Sequence, residues 1–264
     1  MTKPDPSVGG VIYERVAAVA YLRLARPGKL NSFTNEMLLS LRTALRTFDA
    51  DDGAWVAIIH GQGGSFSAGA DLASRQIPGS ARMAGPGGTG GADAYFPDYF
   101  FRVRNFKPII AATHGYTLGL GLRLALLCDY IVAAEDTAFR VTETSRGLDP
   151  SPLWGHLQRR GQWSFALDVA TSGRYWSGAE GHAAGVVDRL AAPGSQLECA
   201  ERLAGELEKM PPLSVRAVIE AARQSAEAIE ADARRRRLSL HLTDDFREAL
   251  LAHREDRPPS FTGR

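Results

Sequence analysis

The chain has 264 residues, of which 44% are hydrophobic and 23% are charged, so it can bury a substantial core as an ordinary globular protein. Its formal net charge of +1 gives no general attraction to nucleic acid or to an acidic membrane surface, and an anion must therefore be bound locally. No apolar stretch reaches the roughly 18 residues that a membrane span requires, so we expect a cytoplasmic protein with no nucleic-acid or membrane partner. Cys128 and Cys199 have neither zinc-site spacing nor a disulfide pattern, and we expect buried reduced thiols.

The first quarter of the chain predicts a strand or hairpin, a helix and a buried strand. Residues 11–24 alternate loosely between apolar and polar residues and lead into a turn at 26–28, which indicates a strand or hairpin. Thr34 fits the N-cap of a helix whose apolar residues recur at helical spacing as far as Phe48. Residues 55–60 form a nearly continuous apolar run, typical of a strand covered on both faces.

The middle of the chain predicts further strands at 108–113 and 129–134 on either side of a helix at 119–127. Such alternation indicates βαβ units and a largely parallel sheet. Residues 85–91 are glycine-rich and predict a surface loop or a gate over a ligand. The pattern is helical from residue 164 and almost entirely so over 197–254. The four arginines at 234–237 indicate a solvated helix face, a phosphate contact or a subunit interface.

Glycine-containing turns follow two of the apolar strands directly, at residues 61–71 and 114–121. Ligands of open α/β sheets bind outside the carboxyl ends of the strands, where such turns lie. Glycine lets the backbone approach a ligand closely and leaves N–H groups free to point at it. Two amides aimed at one oxygen would stabilise an enolate or tetrahedral oxyanion derived from a thioester carbonyl. Either turn alone is weak evidence, because glycine also serves tight packing.

Several motifs resemble the signatures of the crotonase (enoyl-CoA hydratase/isomerase) superfamily in order and spacing. They are FSAGADL at 66–72, KPIIAATHGYTLGLG at 107–121, CD at 128–129 and FRVTE at 139–143. Further similarity at RPGKLNSF (26–33), TSGR (171–174), AAGVV (183–187) and FTGR (261–264) extends the resemblance over nearly the whole chain.

The resemblance implies an α/β fold with a crotonase-like ββα spiral core in residues 1–196 and a C-terminal helical trimerisation region in residues 197–264. It also implies an acyl-CoA substrate, no metal, and no cofactor, since coenzyme A is part of the substrate. The expected assembly is a homotrimer or a dimer of trimers.

Carried over residue by residue, the resemblance implies that the backbone N–H groups of Ala70 and Leu120 form an oxyanion hole. Other substrate contacts are implied at Gly119 in the second turn, at Arg26 and Lys29 near the pantetheine and phosphates, and at Ser67, Ala68, Asp71 and Leu72 along the adenine pocket.

Glu143 matches one of the two carboxylates that family hydratases use, but Arg123 occupies the position of the other. Hydration needs a base to activate water and an acid to protonate the α-carbon, whereas moving a double bond needs one carboxylate. We therefore expect Glu143 to act as a single acid/base, with more isomerase-like than hydratase-like chemistry. Arg123 lies in a nearly all-apolar helix and must be paired if it is buried. It either forms an ion pair with Glu143 or another acid, or clamps a carboxylate on the acyl tail.

The remaining polar residues near these motifs carry less information. Asp149 is a spare acid after the same motif, and it either contacts the substrate or caps a helix that begins near Ser151. We expect His114 and His156 to be structural, because the sequence gives neither a triad-like partner. Residues 245–264 resemble the last helix of the family, which lies against a neighbouring subunit.

Two other functions stay open. A catalytically weak or silent CoA-binding homologue would result if Arg123 paired with Glu143, since the arginine would lower the pKa of the base. A nicotinamide-dependent oxidoreductase is the second alternative. Gly119 begins a glycine pair before a helix, and Glu135 ends the next strand, but Leu124 stands at the third glycine position of the dinucleotide motif.

Overall fold

A computed structural model of the protein describes residues 10–72, 106–240 and 243–264, without the side chains of residues 233–239. The glycine-rich segment at 85–91 and the arginine side chains at 234–237 therefore lie outside the described residues. The strands are β1 (Gly10–Val16), β2 (Val19–Ala25), β3 (Val56–Gly61), β4 (Ile109–Thr113), β5 (Tyr116–Leu118), β6 (Tyr130–Ala134), β7 (Ala138–Arg140), β8 (Tyr175–Ser177) and β9 (Arg189–Ala191). The helices are α1 (Asn35–Ala50), α2 (Leu120–Leu127), α3 (Ser151–Arg160), α4 (Trp163–Ser172), α5 (Gly178–Ala183), α6 (Gln196–Glu208), α7 (Pro212–Leu240) and α8 (Asp244–Arg254).

Within the described residues, six strands form one sheet in the order β1-β2-β3-β4-β6-β9. β1 and β2 pair as an antiparallel hairpin, which is one of the two forms that the sequence predicts, and each later pair is parallel. Strands β5, β7 and β8 form a second, smaller sheet beside it. The sequence does not predict the second sheet, because its strands are three residues long and carry too little periodicity.

Helices cover both faces of the larger sheet. α1 begins as predicted, with the Thr34 hydroxyl accepting from the backbone N–H of Met37 at 3.2 Å. Its apolar face joins the main core, which also contains the side chains of one face of the sheet. α6 covers the opposite face, where Ala200 and Leu203 pack against Ile58 and its neighbours. Strand β3 is therefore buried on both sides, as its apolar run predicts.

The long helix α7 is fixed to the core by buried charges. Among its described side chains, the buried ones recur at helical spacing and are Ile219, Arg223, Ala226 and Glu230. Arg223 donates to the Asp129 carboxylate at 2.6 Å and 3.0 Å, and Glu230 binds Arg123. The positive Arg223 and the negative Glu230 are two helical turns apart, and each pairs with a residue of opposite charge in the core. The two ion pairs fix the helix in one register.

The last helix, α8, packs against the loop that follows Glu143 in its own chain. Phe246 is buried there, and a Cβ on Gly147 would lie 3.0 Å from the Phe246 nitrogen. The final residues fold back on α8, where the Asp245 carboxylate accepts from the backbone of Thr262 at 2.6 Å. A contact with a neighbouring subunit, trimerisation, and the division of the chain at residue 196 stay predictions.

Two expectations from composition have different outcomes. Cys128 is buried, as predicted, but the prediction for Cys199 is wrong, because it is only half-buried at the contact between α6 and the sheet. No helix within the described residues is long and apolar enough to cross a membrane.

Candidate active site

The two glycine turns lie against each other beyond the carboxyl ends of β3 and β4. Gly69 has a φ of +94°, and a Cβ there would lie 2.8 Å from the Leu118 oxygen and 3.4 Å from the Leu120 nitrogen. A Cβ on Gly121 would lie 2.6 Å from the Ser67 oxygen. Glycine is therefore required at both positions for the two backbones to approach, and the approach brings the Ala70 and Leu120 segments together.

The backbone N–H groups of Ala70 and Leu120 make no hydrogen bond to a protein acceptor within the described part of the chain. The amides beside them are used, since Gly69 donates at 3.2 Å, Asp71 at 3.0 Å and Gly119 at 3.0 Å. Leu120 is the first residue of α2, where an N–H has no acceptor within the helix. Two half-buried donors from separate turns are thus available to a ligand.

The carboxylate of Glu143 lies beside the second turn. A Cβ on Gly119, whose φ is +48°, would lie 3.3 Å and 3.6 Å from the two Glu143 oxygens and 2.3 Å from the Thr142 hydroxyl. Thr142 donates to Glu143 at 3.4 Å, which is the one side-chain hydrogen bond to this carboxylate in the described residues. Glycine at position 119 therefore leaves room for a carboxylate next to the Leu120 amide.

Burial raises the pKa of Glu143 above its ordinary value. The backbone N–H of Glu143 itself, the charges of Arg146 and Arg123 and the Thr142 hydroxyl act in the opposite direction without reversing the shift. Glu143 forms no ion pair within the described residues. A half-buried carboxylate with a raised pKa and one side-chain hydrogen bond is suited to exchanging a proton with a ligand.

Arg123 is bound by Glu230 and not by Glu143. Its Nε donates to Glu230 Oε1 at 3.1 Å, and its Nη2 donates to Oε2. The His156 Nε2 also donates to Glu230 Oε1, at 2.7 Å. Burial alone would raise the pKa of Glu230, but the Arg123 charge and these hydrogen bonds hold it well below its usual range. The partner is 107 residues away on α7, and no sequence signal pointed to it. A substrate contact by Arg123 stays a prediction.

Several other predicted site residues are held by protein contacts. Arg26 donates to the Asp71 carboxylate at 2.6 Å and to the Ser32 hydroxyl at 2.9 Å. The buried Ser67 hydroxyl donates to a backbone carbonyl at 2.8 Å. Asp149 accepts from the Ser151 amide at 2.9 Å and from the Ser151 hydroxyl at 3.0 Å. The prediction that it caps α3 is wrong, because the N-cap is Pro150, which has no side-chain cap.

Other predicted contacts are more accessible. Lys29 is exposed, and Ala68 and Leu72 are half-buried. The substrate contacts of these residues stay predictions.

The sequence interpretation also missed Arg146, which stands beside Glu143 and acts on its pKa. Burial lowers the pKa of Arg146, and the nearby Glu143 raises it. The one signal for Arg146 in the sequence is its position three residues after Glu143. That spacing places the two side chains together only because a 3₁₀ turn connects them.

Residues 14–264 match the family model described as Enoyl-CoA hydratase/isomerase. The 2,3-dehydroadipyl-CoA hydratase of Escherichia coli (strain K12) is 34% identical over 263 residues, which cover 96% of this chain and 99% of that protein. The chain belongs to the enoyl-CoA hydratase/isomerase family. A probable enoyl-CoA hydratase of Rhizobium meliloti (strain 1021) is 33% identical, with coverage of 96% and 98%.

Solved structures agree with this family. An enoyl-CoA hydratase from Mycobacterium tuberculosis H37Rv has a TM-score of 0.69 at 31% identity, with coverage of 96% of this chain and 99% of that one. An enoyl-CoA hydratase/isomerase from Pseudoalteromonas atlantica T6c has a TM-score of 0.82, with coverage of 96% and 100%, and at 24% identity it shows the fold alone. The predicted family and fold are confirmed, and a nicotinamide-dependent oxidoreductase is no longer an alternative. As a member of the enoyl-CoA hydratase/isomerase family, the protein is an enzyme of acyl-CoA processing.

Proposed function

We propose that this family member stabilises a thioester enolate with the backbone N–H groups of Ala70 and Leu120 and uses Glu143 as its single acid/base. The observation that carries the proposal is the position of the Glu143 carboxylate beside Gly119, next to an amide without a protein acceptor in the described residues. A carbonyl oxygen bound by the two amides would bring its α-carbon within the region that Glu143 borders.

The proposed reaction moves a double bond. Glu143 removes a proton from the α-carbon of a 3-enoyl thioester, and the electron pair passes to the thioester oxygen as a dienolate. The two N–H groups stabilise the negative oxygen. Loss of one such donor typically lowers the rate by about 10²–10³. Glu143 then returns the proton to the γ-carbon, which leaves the double bond between the α- and β-carbons. The raised pKa of Glu143 favours this exchange in both directions.

Hydration is the second candidate, because the relatives described above are named as hydratases. It requires a second group to share the proton transfers with Glu143. The position that family hydratases use for that carboxylate carries Arg123, whose charge is matched by Glu230. We therefore propose that isomerisation is the faster reaction.

The experiment compares isomerisation of trans-3-hexenoyl-CoA with hydration of trans-2-hexenoyl-CoA. We expect the first to be faster, and Glu143→Gln to lower its kcat by about 10²–10⁴. Glu135→Gln is the matched control, since Glu135 is exposed after β6 and should leave the rate unchanged. Full activity in Glu143→Gln would refute the single acid/base. A wild type that binds both thioesters and converts neither would be the silent homologue.

A gain-of-function variant tests the account of Arg123. Glu230 contacts Arg123 and is 2% exposed, so Arg123→Glu alone would place two carboxylates side by side in the core. The double variant Arg123→Glu/Glu230→Gln removes that conflict and installs the second carboxylate. We expect it to hydrate trans-2-hexenoyl-CoA faster than the wild type does. A correctly folded double variant with no gain would contradict the role given to position 123.

Assembly as a homotrimer or a dimer of trimers and a cytoplasmic location are further proposals from the family resemblance. Light scattering during size-exclusion chromatography tests the assembly, and a monomeric mass would contradict it.

A further inference from the structure

Arg146 presents a cation beside Glu143 that the proposed reaction does not use. Glu143 immediately precedes the 3₁₀ turn Thr144–Arg146, and the Arg146 amide donates to the Glu143 carbonyl at 3.0 Å. Side chains three residues apart eclipse each other in a 3₁₀ turn, so these two side chains lie on one face of it. In the part of the chain that the structure describes, the half-buried Arg146 guanidinium has no hydrogen bond and no ion pair. Burying a guanidinium without a partner costs free energy. Such a group is therefore suited to bind an anionic group of a ligand.

The surroundings of Arg146 contain more positive than negative charge. Arg140, on β7, acts on Arg146 by repulsion, and among the described residues Glu143 is the one carboxylate that acts on it. Arg140 has no carboxylate partner in the described residues either, since its Nε donates to the Gly173 carbonyl at 2.6 Å and its guanidinium lies 4.9 Å from the Tyr175 ring centroid. Arg146 therefore has one carboxylate and a second guanidinium among its charged neighbours, so its surroundings favour a bound anion.

The place of this excess charge points to the acyl end of the substrate. Glu143 must reach the α-carbon of the acyl group, and Arg146 stands on the same face of the same turn. The phosphates of coenzyme A lie beyond the whole pantetheine arm, on the other side of the thioester. An anion that meets Arg146 must therefore belong to the acyl group.

We propose that Arg146 binds a carboxylate at the distal end of the acyl group, so that the substrates are coenzyme A monothioesters of dicarboxylic acids. This inference rests on the proposed function, because it places the α-carbon at Glu143. It also moves the predicted carboxylate clamp from Arg123 to a residue three positions after the base. Arginine suits this task because its planar fork matches both carboxylate oxygens.

The test compares the binding of adipyl-CoA and hexanoyl-CoA by isothermal titration calorimetry. The two thioesters have the same chain length, but the second ends in a methyl group in place of the carboxylate. A hydrogen bond to a charged group contributes about 1.5–3 kcal/mol, so we expect the wild type to prefer adipyl-CoA by about 10- to 100-fold. Glutaryl-CoA with pentanoyl-CoA and suberyl-CoA with octanoyl-CoA extend the comparison to shorter and longer chains.

Arg146→Met keeps the length of the side chain without its charge, and we expect it to lose this preference while it binds hexanoyl-CoA within about twofold of the wild type. Arg146→Lys should keep part of the preference, because the charge remains without the planar fork. Arg202→Met, an exposed arginine on α6, is the control and should keep the full preference.

Each remaining outcome overturns a defined part of the account. Equal binding of every pair by the wild type would overturn the role of Arg146 even if its variants failed to fold. A folded Arg146→Met variant that keeps the preference would do the same, and a change confined to the pH profile of turnover would mean that Arg146 acts on Glu143 alone. Failure of the wild type to bind any of these thioesters would instead overturn the proposed function.

Discussion

Removal of the Glu230 carboxylate is expected to cost a large part of the folding stability. Glu230 is 2% exposed and accepts from both Arg123 and His156, while Arg123 itself is 8% exposed. The variant Glu230→Ala would leave the Arg123 charge buried without this partner. Breaking one side of a buried ion pair typically costs about 3–5 kcal/mol, out of a total unfolding free energy of about 5–15 kcal/mol.

Urea denaturation measures this change, and two variants control it. Glu227→Ala changes an exposed glutamate on the same helix and should shift the unfolding free energy by less than about 0.5 kcal/mol. The double variant Arg123→Leu/Glu230→Met replaces both charges and should recover most of the loss, because the penalty comes from the unpaired charge. A cost below about 1 kcal/mol for Glu230→Ala, or a double variant no more stable than the single one, would refute this reasoning.

The pH dependence gives an independent reading of the same ion pair. The folded-state pKa of Glu230 lies below its unfolded value, so its contribution to stability is complete above the ordinary glutamate pKa of about 4.3. That contribution is lost as the pH falls through the folded-state pKa. The difference in unfolding free energy between wild type and Glu230→Gln should therefore be largest near neutral pH and shrink in acid. A constant difference would show that ionisation of Glu230 is not its source.

Four further predictions concern the site and its support. Because burial raises the pKa of Glu143, folding penalises its ionised form once the pH exceeds the ordinary value, so Glu143→Gln should raise Tm at neutral pH while activity is lost; an unchanged or lower Tm would contradict this. The wild-type kcat/KM should likewise fall as the pH drops through the raised pKa, and an acid limb at the ordinary glutamate value would contradict the burial argument. Lys107→Met should cost about 1.5–3 kcal/mol in urea denaturation, because the buried ammonium donates at 2.7 Å and 3.1 Å to carbonyls at the end of α1. Gly119→Ala should lower kcat by about 10² or more, because the new Cβ would displace the Thr142 hydroxyl and the neighbouring base, and full activity in a folded variant would contradict that placement.

Local patterns in the sequence predicted most of the elements that position the site. Loose alternation indicated a strand or hairpin at β1–β2, capping chemistry indicated Thr34 at the start of α1, and an apolar run indicated the buried strand β3. Each of these signals lies within a short stretch of sequence. The turns that meet at Gly69 and Gly121 were also visible, because glycine marks the places where backbones approach closely.

Contacts between distant parts of the chain could not be predicted in the same way. The sequence left the partner of Arg123 open, because Glu230 reaches it only when α7 docks on the core. The availability of Arg146 likewise depends on which carboxylates the fold brings near it, and three-residue strands such as β5 owe their formation to tertiary contacts. These features depend on how whole helices and strands dock against each other, and a local sequence pattern does not encode that docking.

The most direct test of the central claim is hydrogen exchange at the α-carbon of a saturated thioester. We predict that the wild type, incubated with hexanoyl-CoA in D₂O, incorporates deuterium at the α-carbon, because Glu143 removes the proton and the Ala70 and Leu120 amides stabilise the enolate. Glu143→Gln should bind hexanoyl-CoA with similar affinity and incorporate none above the uncatalysed rate. Exchange that persists in Glu143→Gln, or no exchange in a wild type that binds the thioester, would contradict the account.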